Sequence, residues 1–554
     1  MAPSRVMLQS GAVKDPVHVP KHFVWEPGGP ESDRRWQCKR RCGPHHEPNG
    51  GAMVMHELRK SDNSVVSKKS VNKVEATVAK TAEQTEKREL AKGKPIQCSS
   101  FRVQSQQEVQ QALERIRQKA QQERGIQFTN LFYHVYKVER LLQAYFGLKH
   151  QANPGIDSVT WKEYGEALES NLKDLADRLY RGAYHAKPSK RAYIAKANGD
   201  LRPLGIASLE DKIVQAAAVE VLNAIYEVEF KGFSYGFRPG RNCHQALDAL
   251  AIGSQQKKVN YILDCDIKGF FDNINHDWLM KFVNHRIADT RMLRHIKKWL
   301  NAGVMEKGVL TRSVKGTPQG AVISPLLANI YLHYVLDVWV HHWRKHKAHG
   351  EIIMVRYADD FVMGFQYRED AARFMQELQE RLQKFSLEIH PEKTRLIQFG
   401  RFAVENRKQR EEGKPETFDF LGFTHSCDQT RKGKFIVLRQ TIQKRLRAKL
   451  RAIKEWLRKH LHDPIENIGK YLRRVIQGYM NYFSVPRNGP AVRTFIREVG
   501  RLWFRALNRR SQKKSMTWKR MYKFLFKYFP IPKILHPYPK QRFDVMTQGK
   551  SRMR

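Results

Sequence analysis

The stretch VRYADDFVMGF, residues 355 to 365, constrains this chain more than any other. Val355, Tyr357, Phe361, Val362 and Met363 have the composition of two short β segments, with Asp359 and Asp360 side by side between them. A fold that buries such runs must still bring both carboxylates somewhere they can coexist. Carboxylates that close repel, and one takes up a proton unless a cation keeps both ionised. A hairpin with an acidic turn would satisfy the pattern without any chemistry, so the pair needs a further partner before it means more.

NYILDCDIKGFFDNI (260 to 274) supplies one. It reads as a strand that runs out at Asp266, with Asp264 and Asp266 on one face and Cys265 on the other. Asp266 at a strand end can enter a cleft, and Phe271 follows five residues later. Asp266, Asp359 and Asp360 together offer the all-oxygen donor set that suits two Mg²⁺ ions. Such a pair of ions activates an attacking hydroxyl and stabilises a leaving oxygen in phosphoryl transfer.

Charge narrows the partners. Lysine and arginine number 100 against 55 acids, a net charge of +45 over 554 residues. An excess this large points to a polyanion, nucleic acid before anionic membrane. Six cysteines in so long a chain make no disulfide framework, which indicates a reducing compartment. Cys38, Cys42, His45 and His46 (CKRRCGPHH) have only a loose zinc-ligand spacing. The N-terminus lacks the apolar core of a secretory signal. The most apolar window, 321 to 340, carries Pro325, Asn329, His333 and Asp337, and so reads as a buried helix rather than a membrane span. The expectation is a cytoplasmic protein with no membrane partner.

Residues 1–104 are polar and poor in large apolar side chains, a composition that predicts a disordered basic extension, with Met53 and Met55 as alternative starts. A Gln/Glu/Arg-rich helix is predicted over about 105–123. From about 127 to 400, amphipathic helices alternate with β-rich runs, the pattern of an α+β domain. From about 440 onward the chain turns helical and basic.

Several blocks stand in a recognisable order: RAYIAKANGDLRPLGI, GFSYGFRPGRNCHQAL, DCDIKGFFDNI, GTPQGAVISPLLANIYL, RYADD, LEIHPEKTRL and FDFLGF. Over about residues 125 to 530 the chain resembles the reverse transcriptases encoded by bacterial group II introns. The resemblance implies a right-hand polymerase fold, with fingers and palm over 105–425, an α-helical thumb and maturase domain over 426–540, and a basic tail over 541–554. It puts Asp266, Asp359 and Asp360 in the metal-binding palm positions. Phe271 takes the aromatic position under the sugar of an incoming dNTP, where a large ring excludes a 2′-hydroxyl. Lys196 and Arg202, on a finger hairpin, would grip the triphosphate. Gln319 would pack under the nucleotide, and Gly316 and Gly320 would let backbone approach the template–primer. Lys393 would lie near the leaving pyrophosphate, and FLGF (420 to 423) would grip near the primer end, with a core strand as its plain structural alternative. The chain departs from the family at IAK and LGIAS, where a proline usually follows the isoleucine, and at GIDSVT, where a second glycine is common, and none of these departures touches a chemical group.

KRLRAKLRAIKEWLRKH sets Leu446, Leu450, Ile453 and Leu457 at helical spacing, with eight basic residues and one acid over 444–459. Such a helix alone could lie on a membrane surface. After a polymerase palm it would track a phosphate backbone, with Lys444, Arg445, Arg447 and Lys449 as RNA contacts. Residues 501 to 540 hold twelve basic residues and no acid, interleaved with aromatics that are mostly expected in a core. No cysteine follows Cys427, so the resemblance is to the branch without a cysteine-paired endonuclease. The function implied is RNA-directed DNA synthesis together with binding of the parent group II intron RNA, assisting its splicing and retrohoming. Two readings stay open beside it: a splicing cofactor with a vestigial polymerase, against which the intact acids argue, and a domesticated reverse transcriptase in defence or repair.

Overall fold

The computed structural model describes residues 97–195, 201–311, 315–317, 319–510 and 515–542. Lys196, the Cys38/Cys42/His45/His46 cluster, Met53 and Met55 lie outside the described residues. The architecture is mixed α+β.

Helix α1 (Gln97–Gln122) leads in and contributes Ile116 and Ala120 to the first core. Strands β1 (Ser189–Ala195) and β2 (Leu201–Ile206) form an antiparallel hairpin. Helix α2 (Leu209–Glu229) begins at Ser208, whose side chain accepts from the Asp211 N–H. Glu210 and Asp211 fill its first turn, where the helix dipole favours negative charge. Helix α3 (Cys243–Gln256) opens on a capping box of Asn242 and Gln245 and is buried from Ala246 to Ser254. It is an interior helix. Strand β3 (Tyr261–Asp266) and the single turn α4 (Phe270–Asn273) follow, then β4 (Val304–Glu306) and β5 (Val309–Thr311). Strand β4 runs parallel to β1, giving a first sheet in the order β2-β1-β4-β5.

The apolar window at 321 to 340 is buried, as expected, but is not one regular helix. A five-residue π turn (His333–Asp337) separates α5 (Ser324–Leu332) from α6 (Val338–His346). Strands β6 (Ile352–Tyr357) and β7 (Asp360–Phe365), helix α7 (Arg368–Lys384) and β8 (Arg395–Gln398) complete an antiparallel sheet in the order β6-β7-β3-β8. Its faces bury different cores. Leu263, Cys265, Met354, Phe361 and Met363 enter the first core. Ile262, Ile353, Val355, Val362 and Ile397 pack with α3 in a second. Burial on both faces explains why these strands read as unbroken apolar runs rather than alternating ones.

A third sheet, β11-β10-β9, is built from β9 (Phe418–Phe420), β10 (Phe423–Gln429) and β11 (Phe435–Thr441). It is fastened to α3 by the buried Arg439–Asp248 ion pair at 2.8 Å. Beyond it α8 (Gln443–Lys459), α9 (Ile465–Phe483), α10 (Gly489–Asn508) and α11 (Trp518–Tyr528) share a core of their own, built on Leu446, Ile453, Leu472, Phe495, Trp503 and Leu525. Each large side chain so buried contributes about 1.5–3 kcal/mol. Of the aromatics interleaved with the basic run, Trp503 is core, whereas Trp518 and Phe526 stay exposed.

Candidate active site

Strands β3 and β7 pair in a register that sets Asp266 directly opposite Asp360. Side chains alternate along a strand, so Asp264, Asp266 and Asp360 share the face that carries Ile262 and Val362, at the sheet end the apolar residues leave open. Asp359 stands next to them in the two-residue turn Ala358–Asp359 between β6 and β7. Ala358 has a positive φ of 61°, the left-handed geometry such tight hairpins require. The two strands and the acidic turn were legible in the sequence. The cross-strand partnership was not.

A buried polar frame holds this turn. The Arg356 guanidinium, wholly shielded from solvent, donates to both carboxylate oxygens of Asp337 at 2.8 and 2.5 Å. Its remaining nitrogen donates to the Ala358 carbonyl at 2.8 Å and to Asn329 Oδ1 at 3.1 Å. Asn329 in turn donates to the Gly236 carbonyl at 2.8 Å. Gly236 lies so close under the turn that a β-carbon there would come within 2.3 Å of the Ala358 nitrogen. The π turn is what brings Asp337 into this frame. Arg356 and Asp337 carried a signal in the sequence, as opposite charges set in two runs that are otherwise apolar. Asp337→Ala is expected to cost about 3–5 kcal/mol of stability, because it strands the Arg356 charge in the interior. Chemical denaturation reads this directly. A loss under about 1 kcal/mol would mean that Arg356 finds other solvation.

Electrostatics at the acid cluster run against ionisation. Burial pushes the Asp359 carboxyl up, and the Asp266 charge adds to it, while Arg202 on β2 pulls it back. Burial raises Asp360 well above the ordinary carboxylate range, with Asp264, Asp359 and Asp266 adding to the shift. Asp264 is pushed up to about 7, again by burial first, with Arg395 opposing and Asp419 and Asp266 reinforcing. Lys393 answers part of this charge: its Nζ lies 2.5 Å from Asp266 Oδ2. The loop that carries it is pinned by His390, whose N–H donates to the Asp266 carbonyl at 2.8 Å. An ammonium held against Asp266, and acids driven towards protonation around it, are the signs of a site suited to a hard cation. The donor chemistry fits a divalent ion. Among the described residues no three acid, histidine or cysteine side chains converge on one ion position.

Phe271 projects half-buried from α4, whose N-cap Gly269 has a φ of 55°. The Thr317 N–H donates to the Phe271 carbonyl at 2.8 Å, and the Gly316 N–H to that of Ile274 at 2.7 Å. The GTPQG loop is therefore docked on α4. Gly316 lets the loop approach its own chain: a β-carbon there would lie 2.9 Å from the Asp272 carbonyl. Gly320 does the same against Gly205, whose N–H donates to the Gln319 carbonyl at 2.7 Å. Both glycines are accounted for by packing within the fold.

FLGF is neither a continuous core strand nor an exposed loop. Leu421 and Gly422, both with positive φ, make the turn between β9 and β10, and the Tyr482 hydroxyl donates to the Leu421 carbonyl at 2.8 Å. On α8, Lys444, Arg447 and Lys449 are exposed, while Leu446, Ile453 and Leu457 are buried. Arg445 is half-buried and lies beside the Gly422 turn.

Residues 194–425 match the family model described as reverse transcriptase (RNA-dependent DNA polymerase). The acid-tipped sheet, β3 with β6 to β8, lies within the matched residues. The chain is 37% identical over 222 residues to the group II intron-encoded protein LtrA of Lactococcus lactis subsp. cremoris, covering 40% of this chain and 37% of that protein. It is 35% identical over 239 residues to protein YkfC of Escherichia coli (strain K12), covering 38% of this chain and 62% of that one. It is also 40% identical over 199 residues to an uncharacterised 91 kDa protein in the cob intron of Schizosaccharomyces pombe, covering 35% of this chain and 24% of that one. Each of these is a similarity over part of the chain, which spans between about a quarter and three fifths of the length of the matched proteins. No helix among the described residues is long and apolar enough to cross a membrane.

Proposed function

We propose that the chain is an RNA-directed DNA polymerase that also binds group II intron RNA and assists its splicing and retrohoming. The observation that carries the polymerase reading is the meeting of Asp266 and Asp360 across β3 and β7, with Asp359 in the adjoining turn. Reverse transcriptase domains depend on divalent metals as a class, and these three acids would hold two Mg²⁺ ions. Bound there, the ions would supply activation of the primer 3′-hydroxyl and neutralisation of the charge that develops on the α-phosphate of a dNTP. The chain's own residues do the rest. Arg202, near enough to lower the Asp359 pKa, would take the triphosphate together with Lys196, and Gln319 would line the nucleotide. Lys393 would leave Asp266 for the pyrophosphate once the acids hold metal. The helices α8 to α11 would serve as thumb and maturase domain, with Lys444, Arg445, Arg447 and Lys449 contributing phosphate contacts.

The direct test is primer extension by the purified chain on an RNA template with dNTPs, in Mg²⁺ and then in excess chelator. Extension that needs both dNTPs and Mg²⁺ is expected, and a protein inert under both conditions would sink the polymerase reading. Sugar selection offers a second check. Phe271→Ala should admit rNTPs, lowering the dNTP preference by about tenfold or more while leaving primer–template affinity unchanged. An unaltered preference would make Phe271 a packing aromatic only.

A further inference from the structure

The segment from Phe233 to Arg238 is held by buried hydrogen bonds, and it holds one ring out to solvent. The Arg356 backbone pairs with its first half: the Arg356 N–H donates to the Phe233 carbonyl at 2.9 Å, and the Tyr235 N–H to the Arg356 carbonyl at 2.8 Å. Gly236 is gripped by Asn329 and wedged under the acid turn. The buried Arg238 guanidinium binds Glu227 at 2.9 Å and the carbonyls of Lys231 and Ser234. Phe233, Ser234, Tyr235 and Arg238 are all buried, whereas Phe237 is 47% exposed. Phe237 also has a φ of 58°, a left-handed backbone that a bulky aromatic adopts only under strain. Neither the exposure nor the strain serves the fold, since a glycine would relieve one and a polar residue the other.

The ring's surroundings indicate what it serves. Its centroid is 6.5 Å from that of Phe271, edge to face. The residue before it touches the turn that carries Asp359. Strained residues in an over-determined frame gather at functional sites because the surrounding structure fixes their direction. We propose that Phe237 is a nucleotide-contacting residue, a second aromatic surface of the dNTP site beside Phe271, against which the base and sugar of the incoming nucleotide pack. The assignment rests on the polymerase reading and deepens it: Phe271 bears on the 2′ position, while Phe237 sets affinity for the nucleotide itself.

The test is steady-state primer extension by the full chain and its Phe237→Gly, Phe237→Ala and Phe237→Tyr variants, with dNTP titrations, primer–template binding and thermal melts. Phe237→Gly and Phe237→Ala should raise the dNTP KM about tenfold, the size of one aromatic contact to a nucleotide, with kcat changed by less than about threefold. Phe237→Tyr should restore the KM. Phe237→Gly should melt above Phe237→Ala because it sheds the left-handed strain, while both carry the same KM defect, so stability and nucleotide affinity separate. A residue that only packs would lower the melting temperature and leave the KM alone. An active parent whose variants keep their KM would overturn the assignment and leave the polymerase reading standing. Weakened primer–template binding at constant dNTP KM would also overturn it, giving the ring to the primer. A parent inert in every titration would take down both.

Discussion

Asp359→Ala is expected to reduce primer extension on an RNA template by more than about a hundredfold, since metal clamps in phosphoryl transfer are worth several kcal/mol. The geometry makes this residue hard to replace. Asp359 is 5% exposed at the tip of a hairpin whose turn is held by Arg356, itself paired with Asp337 and Asn329. The fold should not suffer from the change. The carboxyl's pKa is raised by burial, so above its ordinary range near pH 4 the ionised form costs stability in the absence of a cation. Removing it should leave the metal-free melting temperature unchanged or slightly higher. Lost activity with an intact melt would identify a chemical role. Extension at more than about a hundredth of the parent rate would remove Asp359 from the metal-binding set.

Neutralising Lys444, Arg445, Arg447 and Lys449 together should act in another way, weakening RNA binding and flattening its salt dependence by up to about three units of slope. Each phosphate contact releases condensed counterions, so the slope of affinity against salt counts contacts. The exposed positions on α8, Lys444, Arg447 and Lys449, should account for most of the change, and Arg445, set beside the Gly422 turn, for less. Filter binding to a group II intron RNA across a salt series, with splicing at low Mg²⁺, separates the two mutants. Asp359→Ala removes a negative charge distant in sequence from α8 and should keep both RNA affinity and assisted splicing. Extension should fall in the basic-cluster mutant too, because the same helix would hold the primer–template. If the aspartate mutant lost splicing while the basic-cluster mutant kept full RNA affinity, the division between catalytic sheet and binding helices would be wrong.

Much of this was legible in the residues alone. Local rules suffice for the β6–β7 hairpin, for a strand ending at Asp266 and for the basic helix at 444–459, because each follows from periodicity, composition and turn chemistry within about twenty residues. The ordered motifs carried the resemblance, which the match over residues 194–425 shares. The glycines of GTPQG were legible as close-approach positions, yet what they approach, Asp272 and Gly205, depends on loop docking.

Local residue patterns are enough to put the acids at strand ends, to give the chain a charge suited to a polyanion, and to make its C-terminal part helical. Tertiary structure alone decided the pairing of Asp266 with Asp360, since register depends on which strands meet across nearly a hundred residues. It alone turned Asp337 towards Arg356, because a π turn shifts a helix face by an amount no 3.6-residue periodicity encodes. It alone held the Phe237 ring out beside Phe271, since a left-handed backbone at phenylalanine runs against local preference and persists only where buried contacts on either side over-determine it.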